Sequence, residues 1–461
     1  MMPVATGRIG GAYSYETITS NFSTTYHYEF PQSSVLVPLF DINNDGFIDA
    51  GSCSRNSTSS SSTTGTVLRI YFMNGNGGTL SGSGNPDVII GAIVGNFPDG
   101  AGGQLTATEL FCRGVTAIND VNGDGMRDLA VATHQRLWIV MLKPDGSGQP
   151  LKIVKNDISG SFSAAITTYS ARSVAFVRGF SSAVPGNAMI MVNRLLSSFV
   201  ANSVCGFVGF TVSSSGAVTS TRMYNKDVGL PDVSGLGKGI ANVGDYDGNG
   251  VEDLVVFSQL PSSDSTVFTF IVYMHPDGSI LSTSTPNSQY GPGMFTSRVP
   301  ASFDSASLGC NMAVLPDLNG DGKKDLAYSG KCQIRMKHMV SQSMATHNHS
   351  TYAAMVSSSY ASSTASGVVQ QTLSATGALV GYSFVSNRAI AYDGSSIAST
   401  SLGYMVASFD EFMPASTVFA RLLVASYTGS ASSGTANLFR VTIVKGTCQL
   451  LVLVCTTRRP H

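Results

Sequence analysis

Four nine-residue segments of this chain place carboxylates and amides at alternate positions. They read DINNDGFID (Asp41 to Asp49), DVNGDGMRD (Asp120 to Asp128), DYDGNGVED (Asp245 to Asp253) and DLNGDGKKD (Asp317 to Asp325). Positions 1, 3, 5 and 9 supply Asp41, Asn43, Asp45 and Asp49; Asp120, Asn122, Asp124 and Asp128; Asp245, Asp247, Asn249 and Asp253; and Asp317, Asn319, Asp321 and Asp325. This pattern suits a hard cation. Ca2+ takes six to eight oxygen ligands, whereas Mg2+ demands a rigid octahedron and keeps its waters. Side chains at 1, 3 and 5, both oxygens of the Asp at 9, and the position 7 carbonyls of Phe47, Met126, Val251 and Lys323 make one shell per copy. Gly at position 6 (Gly46, Gly125, Gly250, Gly322) permits the sharp bend around the ion. The shells use 12 of the 28 acidic residues, and about four Ca2+ sites are expected.

A single cluster of Asp, Asn and Gly is ordinary turn chemistry. Four copies in one register are not. The loops also differ from EF-hands, because no Glu follows at position 12 and the flanks read as strands. VLVPLF precedes Asp41, LAVAT follows Asp128, LVVF follows Asp253 and LAYSG follows Asp325. These strand–loop–strand units resemble the FG-GAP repeats of integrin α-subunit-like β-propellers. DxNGDGxxDL at Asp120 and Asp317 is close to that family's core pattern, DYDGNGVEDL is a permuted version, and the first copy departs from it at Ala50. The resemblance implies a propeller with each metal loop inside one blade. It does not fix a function, since adhesion receptors, lectins and some lyases share such repeats.

A second periodicity is independent of that resemblance. Apolar strands running into a glycine turn recur, with turn glycines Gly78, Gly146, Gly216, Gly278, Gly377 and Gly446, spaced 68, 70, 62, 99 and 69 residues apart. A supersecondary unit of about 65–70 residues repeated six times signals radially arranged sheets. The long spacing points to an insertion at 333–366 in the fifth unit. Two units lack a metal loop: Ala175 to Asn193 carries no carboxylate at the loop position, and Ala389 to Ser408 keeps only Asp393. The expectation is an all-β propeller of six four-stranded blades, four of them with calcium loops. Seven blades is the alternative, should the first residues and the C-terminal strand form another. Residues 1–34 are expected as an N-terminal arm or ring-closing strand, and residues 35–461 as the propeller.

Composition narrows the function classes. Charged residues are 12% and the formal net charge is −1, which disfavours nucleic acid and a polybasic membrane contact. No apolar run reaches the ~18 residues of a membrane span, and the start shows no signal-peptide h-region. Weak calcium loops suit millimolar extracellular calcium. N-x-S/T sequons stand at Asn21, Asn56 and Asn348, the latter two in expected loops. Among seven cysteines, Cys310 with Cys332, Cys53 with Cys112, and Cys448 with Cys455 are candidate pairs, with connectivity open. Together these cues point to a secreted or cell-surface glycoprotein.

No catalytic motif is present: G-x-S-x-G, H-E-x-x-H and the phosphate-cradling P-loop are all missing. His347 and His349 lack a Cys or carboxylate at ligand spacing. Trp138, in LWIVML, reads as a packing residue. Three functions remain. The first is a non-enzymatic structural or adhesive scaffold, partnered by copies of itself or by other extracellular proteins and glycans and able to assemble into a fibre or matrix. The second is a carbohydrate-binding lectin, which needs an aromatic repeated at one position per blade. The third is a polysaccharide-cleaving enzyme, which needs convergent carboxylate, Lys, Arg or His groups.

Overall fold

A computed structural model describes residues 13–22, 36–55, 66–74, 80, 87–91, 111–133, 136–159, 173–194, 206–230, 237, 239–259, 267–280, 312–315, 324–334, 363–373, 379–386, 401–408, 419–430 and 433–444. The chain begins with β1 (Tyr13–Phe22) and then forms antiparallel meanders. The first sheet is β2 (Leu36–Pro38), β3 (Ala50–Arg55), β4 (Thr66–Tyr71) and β5 (Val88–Ile90). The second is β6 (Gly114–Ala117), β7 (Leu129–Ala132), β8 (Arg136–Leu142) and β9 (Pro150–Asp157). The third is β10 (Val174–Arg178), β11 (Ala188–Arg194), β12 (Gly206–Val212) and β13 (Val218–Tyr224). A three-stranded sheet follows, β14 (Gly239–Gly244), β15 (Asp253–Gln259) and β16 (Val267–Val272). Then come β17 (Met312–Leu315), β18 (Asp325–Ile334), β19 (Ser363–Leu373) and β20 (Leu379–Ser386). The last sheet joins β21 (Ser401–Ser408), β22 (Phe419–Ser430) and β23 (Ser433–Val444) to β1.

The fold is an all-β propeller of mostly four-stranded sheets. First strands lie side by side in succession, β2 against β6, β6 against β10, β10 against β14, β14 against β17 and β17 against β21, and β21 returns to β2. Helix among the described residues is limited to short 3-10 turns, including Pro185–Asn187 and Lys226–Val228.

Strand sequence explains this stacking. The middle strands are continuously apolar because each face meets a neighbouring sheet. In β8, Trp138, Val140 and Leu142 pack toward the first sheet, on Phe111, Cys112, Leu68 and Ile70. Leu137, Ile139 and Met141 alternate with them and pack toward the third sheet, on Ile190, Val192, Val208 and Phe210. A period of two thus feeds two inter-sheet cores, each buried aliphatic side chain contributing roughly 1.5–3 kcal/mol. The fourth strand of the third sheet, β13, is exposed along most of its length, as an outer edge should be.

Three described glycine turns each meet the preceding sheet. Gly146, Gly216 and Gly278 have φ of 75°, 84° and 78°, as turn glycines should. The turn at Gly216 lies on the second sheet, where Asn156 Nδ2 donates to the Gly216 carbonyl at 2.9 Å and the Val218 N–H donates to Asn156 Oδ1 at 2.9 Å. The turn at Gly278 lies on the third sheet: Tyr224 Oη donates to the Gly278 carbonyl at 2.6 Å and Arg222 Nη1 to the Asp277 carbonyl at 2.8 Å. Gly78, Gly377 and Gly446 lie outside the described residues.

Two expectations are refined. The first residues do not found a seventh sheet among the described residues; β1 pairs antiparallel with β23, Tyr13 opposite Ile443, so both chain ends complete one sheet. In that sheet β21 pairs antiparallel with β22, Ser401 opposite Tyr427. Asp393 lies outside the described residues. The insertion narrows at both ends, because β18 and β19 pair out to Ile334 opposite Ser363.

Cys53 and Cys112 form a disulfide across 59 residues, linking β3 to the segment entering β6. Cys332 lies in β18 opposite Ala365. Cys310, Cys448 and Cys455 fall outside the described residues, as do Asn56 and Asn348, while Asn21 lies in β1.

Candidate metal centre

Each acidic loop joins the first and second strands of its sheet: β2 to β3, β6 to β7, β14 to β15 and β17 to β18. In the fourth copy Asp317, Asn319, Asp321 and Lys323 lie outside the described residues, and Asp325 opens β18. The other three copies share one hydrogen-bond pattern, whose cause is the sequence register.

Position 1 accepts from the far side of the turn. Asp41 takes the N–H groups of Asp45 (3.0 Å) and Gly46 (2.8 Å). Asp120 takes Gly123 (2.7 Å), Asp124 (3.2 Å) and Gly125 (2.7 Å), and Asp245 takes Gly248 (2.7 Å), Asn249 (3.0 Å) and Gly250 (2.8 Å). Position 5 accepts from position 7, with Asp45 taking Phe47 at 2.9 Å, Asp124 taking Met126 at 2.9 Å and Asn249 taking Val251 at 2.7 Å. These short-range bonds wind the backbone around the side-chain oxygens.

The winding requires left-handed backbone twice. Gly46, Gly125 and Gly250 have φ near +90°, and a Cβ there would meet nothing within 4 Å, so conformation and not crowding demands glycine. Position 4 is left-handed as well, in Gly123 (77°), Gly248 (82°) and Asn44 (60°). Asn is among the few side chains that tolerate this region. The Asn/Gly usage at position 4 was a legible signal that the ligand spacing alone does not contain.

Position 9 is buried. Asp49, Asp128 and Asp253 are 0% exposed, and both oxygens of each are engaged. One oxygen accepts the N–H at position 2: Ile42 (2.8 Å), Val121 (2.8 Å) and Tyr246 (2.7 Å). The other accepts an N–H from the chain just past, or at the end of, the third strand: Met73 (2.9 Å), Leu142 (3.0 Å) and Met274 (2.8 Å). Burial pushes Asp49 and Asp253 up to about 7 and Asp128 to about 6, against the lowering pull of these N–H groups. Each oxygen of Asp49 and Asp128, and Oδ1 of Asp253, has one such N–H partner and retains a lone pair for a cation, whereas Asp253 Oδ2 accepts a second N–H, from Asp247 at 3.3 Å.

In the third copy ligand oxygens of Asp245, Asp247 and Asp253 lie within 4.8 Å of one another. Two carboxylates at that distance repel by about 1 kcal/mol in water and about 3 kcal/mol at an effective dielectric near 20. A divalent cation reverses the sign of this term. The donor set is all oxygen, which fits Ca2+ chemically.

Sequence reasoning missed the neighbours of this loop. Glu252, at position 8, receives the Arg178 guanidinium (Nη2 at 2.5 Å, Nε at 3.1 Å), the Arg178 N–H (2.9 Å) and Asn242 Nδ2 (2.8 Å). Burial draws Glu252 upward, but these donors outweigh it and hold the carboxyl below its ordinary value. The carboxylate-free turn of the third sheet, between β10 and β11, thus abuts the acidic loop of the fourth. Charged residues at position 8 in three of the four copies (Arg127, Glu252, Lys324) were the available signal.

No family model matches the chain, and no curated protein matches it. Among solved structures it is similar to the subtype N11 neuraminidase-like protein of A/flat-faced bat/Peru/033/2010 (H18N11), at 8% identity over 97% of this chain and 99% of that one, with a TM-score of 0.40. It is also similar to rhamnogalacturonan lyase YesW, at 12% identity over 95% and 74% of the two chains (TM-score 0.35). Polysaccharide lyase Uly1 is similar at 9% identity over 94% and 99% (TM-score 0.33). Likeness at this level transfers no site or activity, and the propeller assignment rests on the sheet order and strand contacts given above.

Proposed function

We propose that this chain is a calcium-stabilised propeller of six blades, built from FG-GAP-like repeats. It acts outside the cell as a non-enzymatic structural or adhesive scaffold, assembling with copies of itself or with other extracellular proteins and glycans. The observation that carries this reading is the acidic loop found three times at one place in the blade. Each copy has the same hydrogen bonds and a buried Asp at position 9 facing further carboxylates. Such a loop stiffens the junction of three strands once a cation neutralises it.

Other features support the setting. The Cys53–Cys112 bridge suits an oxidising compartment. A net charge of −1 with few charged residues does little to resist association. Of the blade aromatics, Trp138 and Phe210 are buried in inter-sheet cores, Tyr71 is buried and Tyr273 is half-buried, so packing accounts for them better than a sugar platform. Isothermal titration with Ca2+ is expected to give about four sites, with thermal unfolding falling on calcium removal and assembly seen by light scattering in millimolar calcium. A calcium-insensitive unfolding temperature, or a strict monomer under those conditions, would overturn the metal and scaffold parts respectively.

A further inference from the structure

The turn between β10 and β11 has no ligand of its own, yet its backbone is fitted to the acidic loop of the next sheet. Arg178 and Glu252 exchange backbone contacts in both directions: the Arg178 N–H donates to Glu252 Oε2 at 2.9 Å, and the Glu252 N–H donates to the Arg178 carbonyl at 3.0 Å. Gly179 sits against position 6, where a Cβ would fall 2.1 Å from the Gly250 carbonyl oxygen. Asn242 ties the same carboxylate to the Phe176 carbonyl, donating to that oxygen at 2.6 Å. The Glu252 side chain is only 19% exposed, so this ion pair is better shielded than an ordinary surface pair.

Glu252 stands between Val251, whose carbonyl is at ligand position 7, and Asp253, the ligand at position 9. Whatever fixes Glu252 fixes the backbone on both sides of it. The same direction of reach recurs. Arg127, at position 8 of the second sheet's loop, lies 5.2 Å over the ring of Phe40, the residue before position 1 of the first sheet's loop. Lys324, at position 8 of the fourth copy, lies beside Gly244, the residue before position 1 of the third copy; a Cβ there would be 3.9 Å from Lys324 Nζ.

Resting on the calcium reading above, we infer that position 8 of the second, third and fourth loops couples a metal site to the preceding blade, and that Arg178 is a positioning residue for the site of Asp245, Asp247 and Asp253. The carboxylate-free turn of the third sheet serves as a clamp on its neighbour's site. Through it, cation binding in the fourth sheet orders the third.

Terbium(III), an oxygen-seeking stand-in for Ca2+, isolates this site, because Tyr246 is the only tyrosine in the four loops and can sensitise its luminescence. The signal assigned is the part lost in Tyr246→Phe. Losing a partner that orients a ligand lowers metal affinity about 10–100-fold. Arg178→Ala should weaken terbium at the Tyr246 site by that factor, while calorimetry shows the other sites unchanged. Arg178→Lys should fall between, and the exchange Arg178→Glu with Glu252→Arg should recover part of the loss. Wild-type affinity in Arg178→Ala, or equal weakening of every site, would overturn the inference. Should Arg178→Ala not fold, Arg178→Lys and the exchanged pair carry the same test. A wild-type protein without Tyr246-dependent luminescence would overturn the calcium reading instead.

Discussion

Asp253 accepts the backbone N–H of Met274 at 2.8 Å across 21 residues, and in doing so joins the acidic loop to the end of the third strand. Asp49 with Met73 and Asp128 with Leu142 repeat the relation. The closing carboxylate therefore has two jobs, as ligand and as a buried acceptor for two amides.

Those jobs separate by mutation. Asp124→Ala, at position 5, is expected to remove one calcium site and to lower stability more with calcium present than without, where only its part-buried turn bonds are lost. Asp253→Ala leaves two buried N–H groups unsatisfied, each worth about 1–3 kcal/mol, so it should destabilise the calcium-free protein as well. Urea unfolding of both variants with and without calcium checks this. Equal behaviour of the two in calcium-free buffer would show that position 9 is only a ligand.

Stability should depend on pH in opposite ways with and without calcium. Burial raises Asp49 and Asp253 from 3.8 to about 7, so the folded state holds these protons more tightly than the unfolded chain. Stability of the calcium-free protein should therefore fall as pH rises from about 4 to about 7. A bound cation favours the ionised form, so calcium should add more stability at pH 8 than at pH 5. Unfolding midpoints of metal-free and calcium-loaded protein at both pH values give the comparison.

Reduction of Cys53–Cys112 is expected to be costly. A closed loop of 59 residues corresponds to roughly 4 kcal/mol on the chain-entropy model. The double variant Cys53→Ser, Cys112→Ser should lower the urea midpoint accordingly, and the bridged species should appear in a non-reducing peptide map.

Removal of residues 1–34 deletes β1 and leaves β23 as an open edge. Such an edge is a template for strand addition. Size measurement in millimolar calcium should show more association for the truncated chain than for the full one. An unchanged size would mean that β23 needs no cover.

Much of the plan is local in the sequence. The loops at Asp41, Asp120 and Asp245 wind locally, because the hydrogen bonds within each loop span only two to seven residues. The continuous apolar run of β8 announces a strand covered on both faces. Trp138, read as a packing residue, is 1% exposed and meets Phe111 edge-on at 5.5 Å. Composition fixed the donors, carboxylate and amide oxygens at alternate positions, and with them the chemistry open to the loops. Only the tertiary structure decided that Cys53 meets Cys112, that β1 closes on β23, and that Arg178 reaches Glu252 across 74 residues. Each of those contacts joins parts of the chain far apart in sequence, so it exists only once the sheets have stacked.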